Sequence, residues 1–114
     1  DSDLRRRIAL NAMDERCFML TLERARQAKN AGISTAAAGI SKVYGSELKQ
    51  RRWELAVDIA GPAALGWEGP GFDDKSLADT RDWLRSRANS IEGGSSEIQR
   101  NIIAKRILGL PTHK

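Results

Sequence analysis

An all-α fold, an up-and-down four-helix bundle, follows from three features of this 114-residue sequence. Apolar residues recur at helical spacing in four segments, glycine- or proline-containing turns close those segments, and no stretch alternates long enough to build a sheet. Because only 5% of the residues are aromatic, the core should be modest and made of Leu, Ile, Val and Ala. Residues 1–114 read as a single helical domain, with helices expected over about 3–30, 35–60, 76–90 and 96–108.

The first helix starts at a cap supplied by Asp1 or Ser2, with Asp3 complementing the dipole in its first turn. Leu10, Met13, Cys17 and Leu20 fall on one side of it, and Leu4, Ile8, Phe18 and Leu22 on roughly the other. A helix at the edge of a small bundle needs one apolar face, so a helix with two is expected to pack one inside the chain and one against something else. Asn30 and Gly32 supply its stop.

Ser34 or Thr35 opens the second helix, whose apolar face is Ala36, Ile40, Val43, Tyr44, Leu48 and Leu55. Glu47 and Arg51 lie within that face at the spacing of an i to i+4 ion pair. Gly39 and Gly45 weaken the helix, and close approach of another element would explain them. Asp58-Ile59-Ala60-Gly61-Pro62 ends it, since Pro62 has no N–H and disfavours helix in the residue before it.

From Ala63 to Asp74 the chain reads as a surface loop that Trp67 and Phe72 pin to the bundle. Asp73 or Asp74 caps the third helix, with Leu77, Leu84, Ala88 and Ile91 as its inner face and Arg81, Arg85 and Arg87 as solvated charges. In the fourth, Ser96 and Gln99 form a capping box, Ile98, Ile102, Ile103, Ile107 and Leu108 are apolar, and Gly109 with Pro111 is the stop.

Composition narrows the function classes. The formal charge is +4, but Lys and Arg alternate with Asp and Glu and no basic run carries interleaved aromatics, which argues against nucleic acid. No run approaches a membrane span. A lone Cys17 and a lone His113 allow neither an internal disulfide nor a metal site, and a cytoplasmic protein is the simplest expectation. The stretch from Ser90 to Pro111 carries the chemistry. Gly93 and Gly94 admit a backbone that a Cβ would resist, and the helix start behind them presents unpaired amides to an anion or a carbonyl oxygen.

That stretch, G-G-S-S-E-I-Q-R-N-I-I-A-K-R-I-L-G-L-P, resembles the C-terminal signature of the flavin-dependent acyl-CoA dehydrogenases, G-G-T-S-E-I-Q-R-N-I-I-A-x-R-x-L-G-L-P. The resemblance implies that the chain is the family's C-terminal helical domain, and nothing in it resembles the N-terminal helical or middle β domain. It implies FAD as cofactor, an acyl-CoA substrate from fatty-acid or sterol side-chain β-oxidation, electron-transfer flavoprotein as acceptor, and a tetramer or α2β2 assembly. Ser95, Ser96 and Glu97 match the T-S-E that contacts the flavin, Gly93 and Gly94 would line the acyl-CoA channel, and Gly61 keeps one glycine of the Q-x-x-G-G turn that meets the flavin diphosphate of a neighbouring subunit. Asp58 and Pro62 depart from that turn. Gly93 occupies the place of the glutamate base found in one branch, so no catalytic residue is assigned within the chain, and Glu92, one residue earlier, is the nearest candidate. The isolated chain is expected to be inactive and not to retain FAD. The alternative is a non-catalytic helical scaffold or partner-stabilising subunit.

Overall fold

Each capped, amphipathic segment forms a helix in the computed structural model, which describes residues 1–33 and 37–111. The helices are α1 (Ser2–Asn30), α2 (Ala37–Ala60), α3 (Asp74–Ser86) and α4 (Ser96–Ile102), and no strand occurs among the described residues. Short 3-10 turns cover Gly61–Leu65 and Arg87–Ser90, and a π turn, Ile103–Ile107, continues α4. The expected start of α2 at Ser34 or Thr35, Ala36 in its apolar face, and His113 lie outside the described residues.

Three columns, with α2 in the middle, make up this all-α architecture. Arg7 meets Asp58, Arg51 meets Asp14, and Phe18 abuts Gly45, so α1 runs antiparallel to α2. Contacts of Ala64 with Thr80, Gln50 with Ser86, Glu47 with Arg100 and Gly39 with Ile107 continue the same order on the other side. Thus α3 and α4 follow one another along α2 as a single broken rod. The result is elongated, with a radius of gyration of 17.8 Å against about 13 Å for a compact domain of this length.

Caps and close approaches explain the local choices. Asp1 accepts from the amides of Asp3 and Leu4, and Gly32 and Gly109 take positive φ beyond α1 and α4. A Cβ on Gly39 would lie 2.6 Å from Ile107 Cδ1, and one on Gly45 would lie 3.0 Å from Phe18 Cζ, so both glycines sit where another element presses on α2.

The packing corrects several expectations. Val43, Leu48, Leu55 and Ala64 form the buried apolar core, whereas Ile40 is exposed. On α1, Phe18 meets α2, but Ile8 is exposed together with Leu10, Met13, Cys17 and Leu20. The third helix starts at Asp74 rather than Ser76, with Asp73 as cap, and its last four expected residues are 3-10. Its inner face is not Leu84 and Ile91, which are exposed; Ser76, Thr80 and Ser86 are buried instead. Their hydroxyls are satisfied locally: Thr80 donates to the carbonyls of Ala64 and Ser76, and Ser86 to that of Trp83. Small hydrogen-bonded residues allow a close seam, and with no column beyond α3 among the described residues its Leu84 stays exposed.

The start of the expected surface loop, Ala63 to Leu65, is 3-10 helix. Phe72 packs onto Gly66, and Arg81 lies 5.3 Å from the Trp67 ring while donating to the Trp67 carbonyl. None of the three arginines expected to be solvated is free, because Arg85 pairs with Glu92 and Arg87 with Glu54. Nor do Glu47 and Arg51 pair with each other. Glu47, Arg51, Glu54 and Asp58 form one stripe on α2, and each is bonded to another element, through Arg100, Asp14, Arg87 and Arg7 respectively. Tertiary partners outcompete the i to i+4 pair because either local pairing is worth only a few tenths of a kcal/mol.

Candidate functional site

The candidate site is the corner between the broken halves of the outer rod, residues 89–97. Its underside is fixed by α2. Lys42 Nζ and Ser46 Oγ each donate to the Asn89 carbonyl at 2.9 Å, and Gln50 Nε2 donates to the Ser86 carbonyl at 3.0 Å. These three anchors were not singled out from the sequence, although polar residues at i, i+4 and i+8 along one side of α2 were the available signal.

Above them the chain turns at two consecutive glycines with φ of +66° at Gly93 and +94° at Gly94. L-residues resist such values. A Cβ on Gly94 would stand 2.7 Å from Gln99 Nε2, whereas one on Gly93 would meet nothing within 4 Å. The corner is therefore open on its Gly93 side. The expected Ser96–Gln99 capping box does not form: Ser95, not Ser96, is the N-cap and accepts from the Ile98 amide, while Gln99 Nε2 donates to the Gly93 carbonyl. Two successive glycines swing the chain so that Ser95 arrives first with extended geometry.

Ser96 is consequently the first helical residue and only 7% exposed, and its hydroxyl is buried without a partner among the described residues. A buried hydroxyl left unpaired costs about 1–3 kcal/mol. Glu97 is exposed, and hydrogen bonds from its own amide and from the Ser95 hydroxyl hold its carboxyl below the ordinary value. Ser95, Ser96, Glu97, Gly93 and Gly94 are thus brought together at one corner.

Gly61 is elsewhere. It takes φ +57° with open space where a Cβ would be, some fifteen residues and ~22 Å of helix rise beyond Ser46. Asp58 beside it is neutralised by Arg7 across the α1–α2 seam at 2.5 Å. One chain therefore presents two separate faces, a glycine corner and a glycine turn, at different heights on α2.

Glu92 lies on the corner's edge but is turned toward α3. Arg85 donates to it at 2.7 Å and Asn89 at 2.6 Å. The Arg85 hydrogen bond holds its carboxyl below the ordinary carboxylate value; desolvation opposes it in part, and the charge of Arg85 and then the Asn89 hydrogen bond reinforce it. The folded value being the lower one, this link stabilises the fold above about pH 4.3, the unfolded value, and the contribution is lost as pH falls through the folded value. In a ¹³C titration the Glu92 carboxyl is expected to remain ionised below that pH, and an ordinary Glu92 titration curve would contradict the geometry.

No group of three or more His, Cys, Asp or Glu among the described residues is placed to hold a metal ion, and no helix among them is long and apolar enough to cross a membrane. Residues 1–108 match the family model described as acyl-CoA dehydrogenase, C-terminal domain. The chain is 46% identical over 72 residues to the acyl-CoA dehydrogenase IpdE1 of Mycolicibacterium smegmatis, covering 63% of this chain and 17% of that protein. It is 39% identical over 87 residues to the acyl-CoA dehydrogenase FadE26 of Mycobacterium tuberculosis, covering 73% of this chain and 21% of that one. The chain thus spans about a fifth of the curated relatives that it matches. No solved structure matches it significantly.

Proposed function

Because the chain belongs to the acyl-CoA dehydrogenase C-terminal-domain family, we propose that it is the C-terminal helical domain of a longer FAD-dependent acyl-CoA dehydrogenase. The substrate class would be acyl-CoA thioesters of fatty-acid or sterol side-chain breakdown, with electron-transfer flavoprotein as acceptor. The one cysteine, Cys17, is free and exposed, which suits a cytoplasmic enzyme.

The observation that carries this reading is the open Gly93 corner beside the exposed Glu97 carboxylate. Both features fit FAD: the corner has room for a bulky group, and the carboxylate can accept from a ribityl or ribose hydroxyl. FAD, when bound, supplies the hydride acceptor. Ser95 and Glu97 would orient it by hydrogen bonding, and Gly93 and Gly94 would admit the thioester end of the substrate. The base falls outside this chain, since Glu92 is committed to Arg85 and a general base needs a pKa near the working pH. Gly61 is too far from the corner to share a cofactor with it in one copy, which favours an assembly in which each chain serves two flavins. Arg7 offsets the repulsion that the Asp58 carboxylate would otherwise exert on a flavin diphosphate at that turn.

The test is Glu97→Ala in the full-length parent enzyme. Flavin-free protein should keep nearly all of its stability, because the side chain is exposed and only its interaction with the start of α4 is removed. FAD affinity should fall about ten-fold, the loss of one hydrogen bond of about 1.4 kcal/mol. Unchanged FAD affinity in both Glu97→Ala and Ser95→Ala, or a parent that binds no flavin, would replace the enzyme by the non-catalytic scaffold.

A further inference from the structure

The backbone enters the glycine corner past an orphan carbonyl. The turn Arg87–Ser90 closes on Ala88, whose carbonyl takes the amides of Ile91 and Glu92 at 2.9 Å each. The Asn89 carbonyl, one residue later, stands at the C-terminal end of the α3 rod, where no further helical amide follows. Lys42 Nζ and Ser46 Oγ of α2 reach it, both at 2.9 Å. The two are not equal. Ser46 has one proton to give, and the Lys42 carbonyl lies nearer to its hydroxyl, at 2.7 Å. Lys42 is half-buried and brings a positive charge to a helix end that favours cations. A hydrogen bond from an ionised donor is about twice as strong as a neutral one.

On the far side of the corner the bond to α2 is weaker. Arg100 meets Glu47 at 2.5 Å, but their side chains are 59% and 43% exposed, and ion pairs so open to water contribute little. Lys42 and Glu47 stand ~7.5 Å apart along α2, and the corner arches between them. Within the arch Gly93 and Gly94 carry the most backbone freedom. The Ser95 bond to the Ile98 amide and the Gln99 bond to the Gly93 carbonyl are local to it. What fixes the arch against the bundle is therefore chiefly Lys42.

We propose that Lys42 is the positioning residue of the corner: by holding the Asn89 carbonyl it sets where Gly93, Ser95 and Glu97 stand, and so how well they receive FAD. The inference rests on the flavin reading above and adds to it a residue that acts through others rather than by touching flavin or substrate. Asn89 passes the constraint on, since its side chain donates to Glu92 at the edge of the corner, 2.6 Å away. Glu97 feels the same ammonium. Its own amide and then the Ser95 hydroxyl hold its carboxyl below the ordinary value, desolvation opposes them, and the charges of Arg100 and Lys42 add to the lowering.

Variants of the full-length parent enzyme test it, read by FAD affinity of the apoenzyme and by amide exchange of the flavin-free protein. Lys42→Met keeps the length of the side chain and removes its donors. Ser46 still covers the Asn89 carbonyl, so no buried acceptor is left bare and the bundle folds. Exchange through 91–97 should accelerate at least about five-fold while α1 exchanges as in wild type, and the FAD dissociation constant should rise about three- to ten-fold. Lys42→Arg, which can also donate to a last-turn carbonyl, should stay within about two-fold of wild type in both. Combined with Glu97→Ala, Lys42→Met should weaken FAD binding less than it does alone, because the two act through one contact. Unchanged exchange through 91–97 in Lys42→Met overturns the proposal. So does exchange that quickens throughout the bundle, or a Lys42→Arg variant as impaired as Lys42→Met, either of which reduces Lys42 to general packing. Weakened FAD binding in Glu97→Ala but not in Lys42→Met removes the positioning role and keeps the flavin reading. FAD binding unchanged in both, with exchange quickened through 91–97, removes the flavin reading and leaves Lys42 holding a corner of a scaffold.

Discussion

Leu48→Ala is expected to destabilise the chain by about 2–5 kcal/mol, the range for emptying a buried leucine site. Leu48 is 5% exposed at the middle of α2, in a buried apolar core whose other members are Val43, Leu55 and Ala64. Because α2 is the one column that touches both of the others, a cavity there loosens α1 and the outer rod together. A small domain has about 5–15 kcal/mol in total, and each kcal/mol is worth roughly 4–8 °C near this size. A fall in melting temperature of at least about 8 °C should follow, with the urea midpoint lowered at unchanged slope. Leu65→Ala is the control: that side chain is 84% exposed, so its loss should stay within about 0.5 kcal/mol. Equal effects at the two positions would mean that α2 is not the organising column.

What could be read from the sequence was what neighbours in sequence decide. Asp1 as the cap of α1, Gly32 and Gly109 as stops, and Gly39 and Gly45 as close-approach points all depend on local backbone geometry or on the absence of a side chain. Ser95 was harder to tell from Ser96 because both are good caps. The choice was made by the positive φ of Gly93 and Gly94, which sets the angle at which the chain enters α4. Periodicity located the apolar residues of α3 but not what would cover them. Leu84 and Ile91 point outward, while Ser76, Thr80 and Ser86 take the seam, because hydroxyls that bond to nearby carbonyls cost little to bury. The resemblance located the glycine corner, and what it lacked was the support beneath, Lys42, Ser46 and Gln50. Those residues are ordinary surface polars until a broken rod is laid across them.

The same distinction makes Gly66 a sharp test. A Cβ built there would lie 2.4 Å from Phe72 Cγ, with ring carbons at 2.5 and 2.7 Å. These atoms are at the root of the ring, so no rotation of a flexible tip relieves the overlap; Phe72 must leave. Gly66→Ala should therefore cost about 1–3 kcal/mol as overpacking, despite introducing only a methyl group at an extended backbone position with φ −78° and ψ 140°. Displacing Phe72 frees the segment that joins the Gly61–Leu65 turn to α3, leaving the contacts of Arg81 with Trp67 as its main tether. Amide exchange should accelerate through 66–72 before it does in α1. Gly71→Ala makes the comparison, since nothing lies within 4 Å of a Cβ at that site, and it should be neutral or slightly stabilising by restricting the unfolded chain. A Gly66→Ala variant as stable as Gly71→Ala would show that Phe72 does not hold this segment, and the Gly61 turn would then lack the rigid support that its proposed contact with a neighbouring flavin requires.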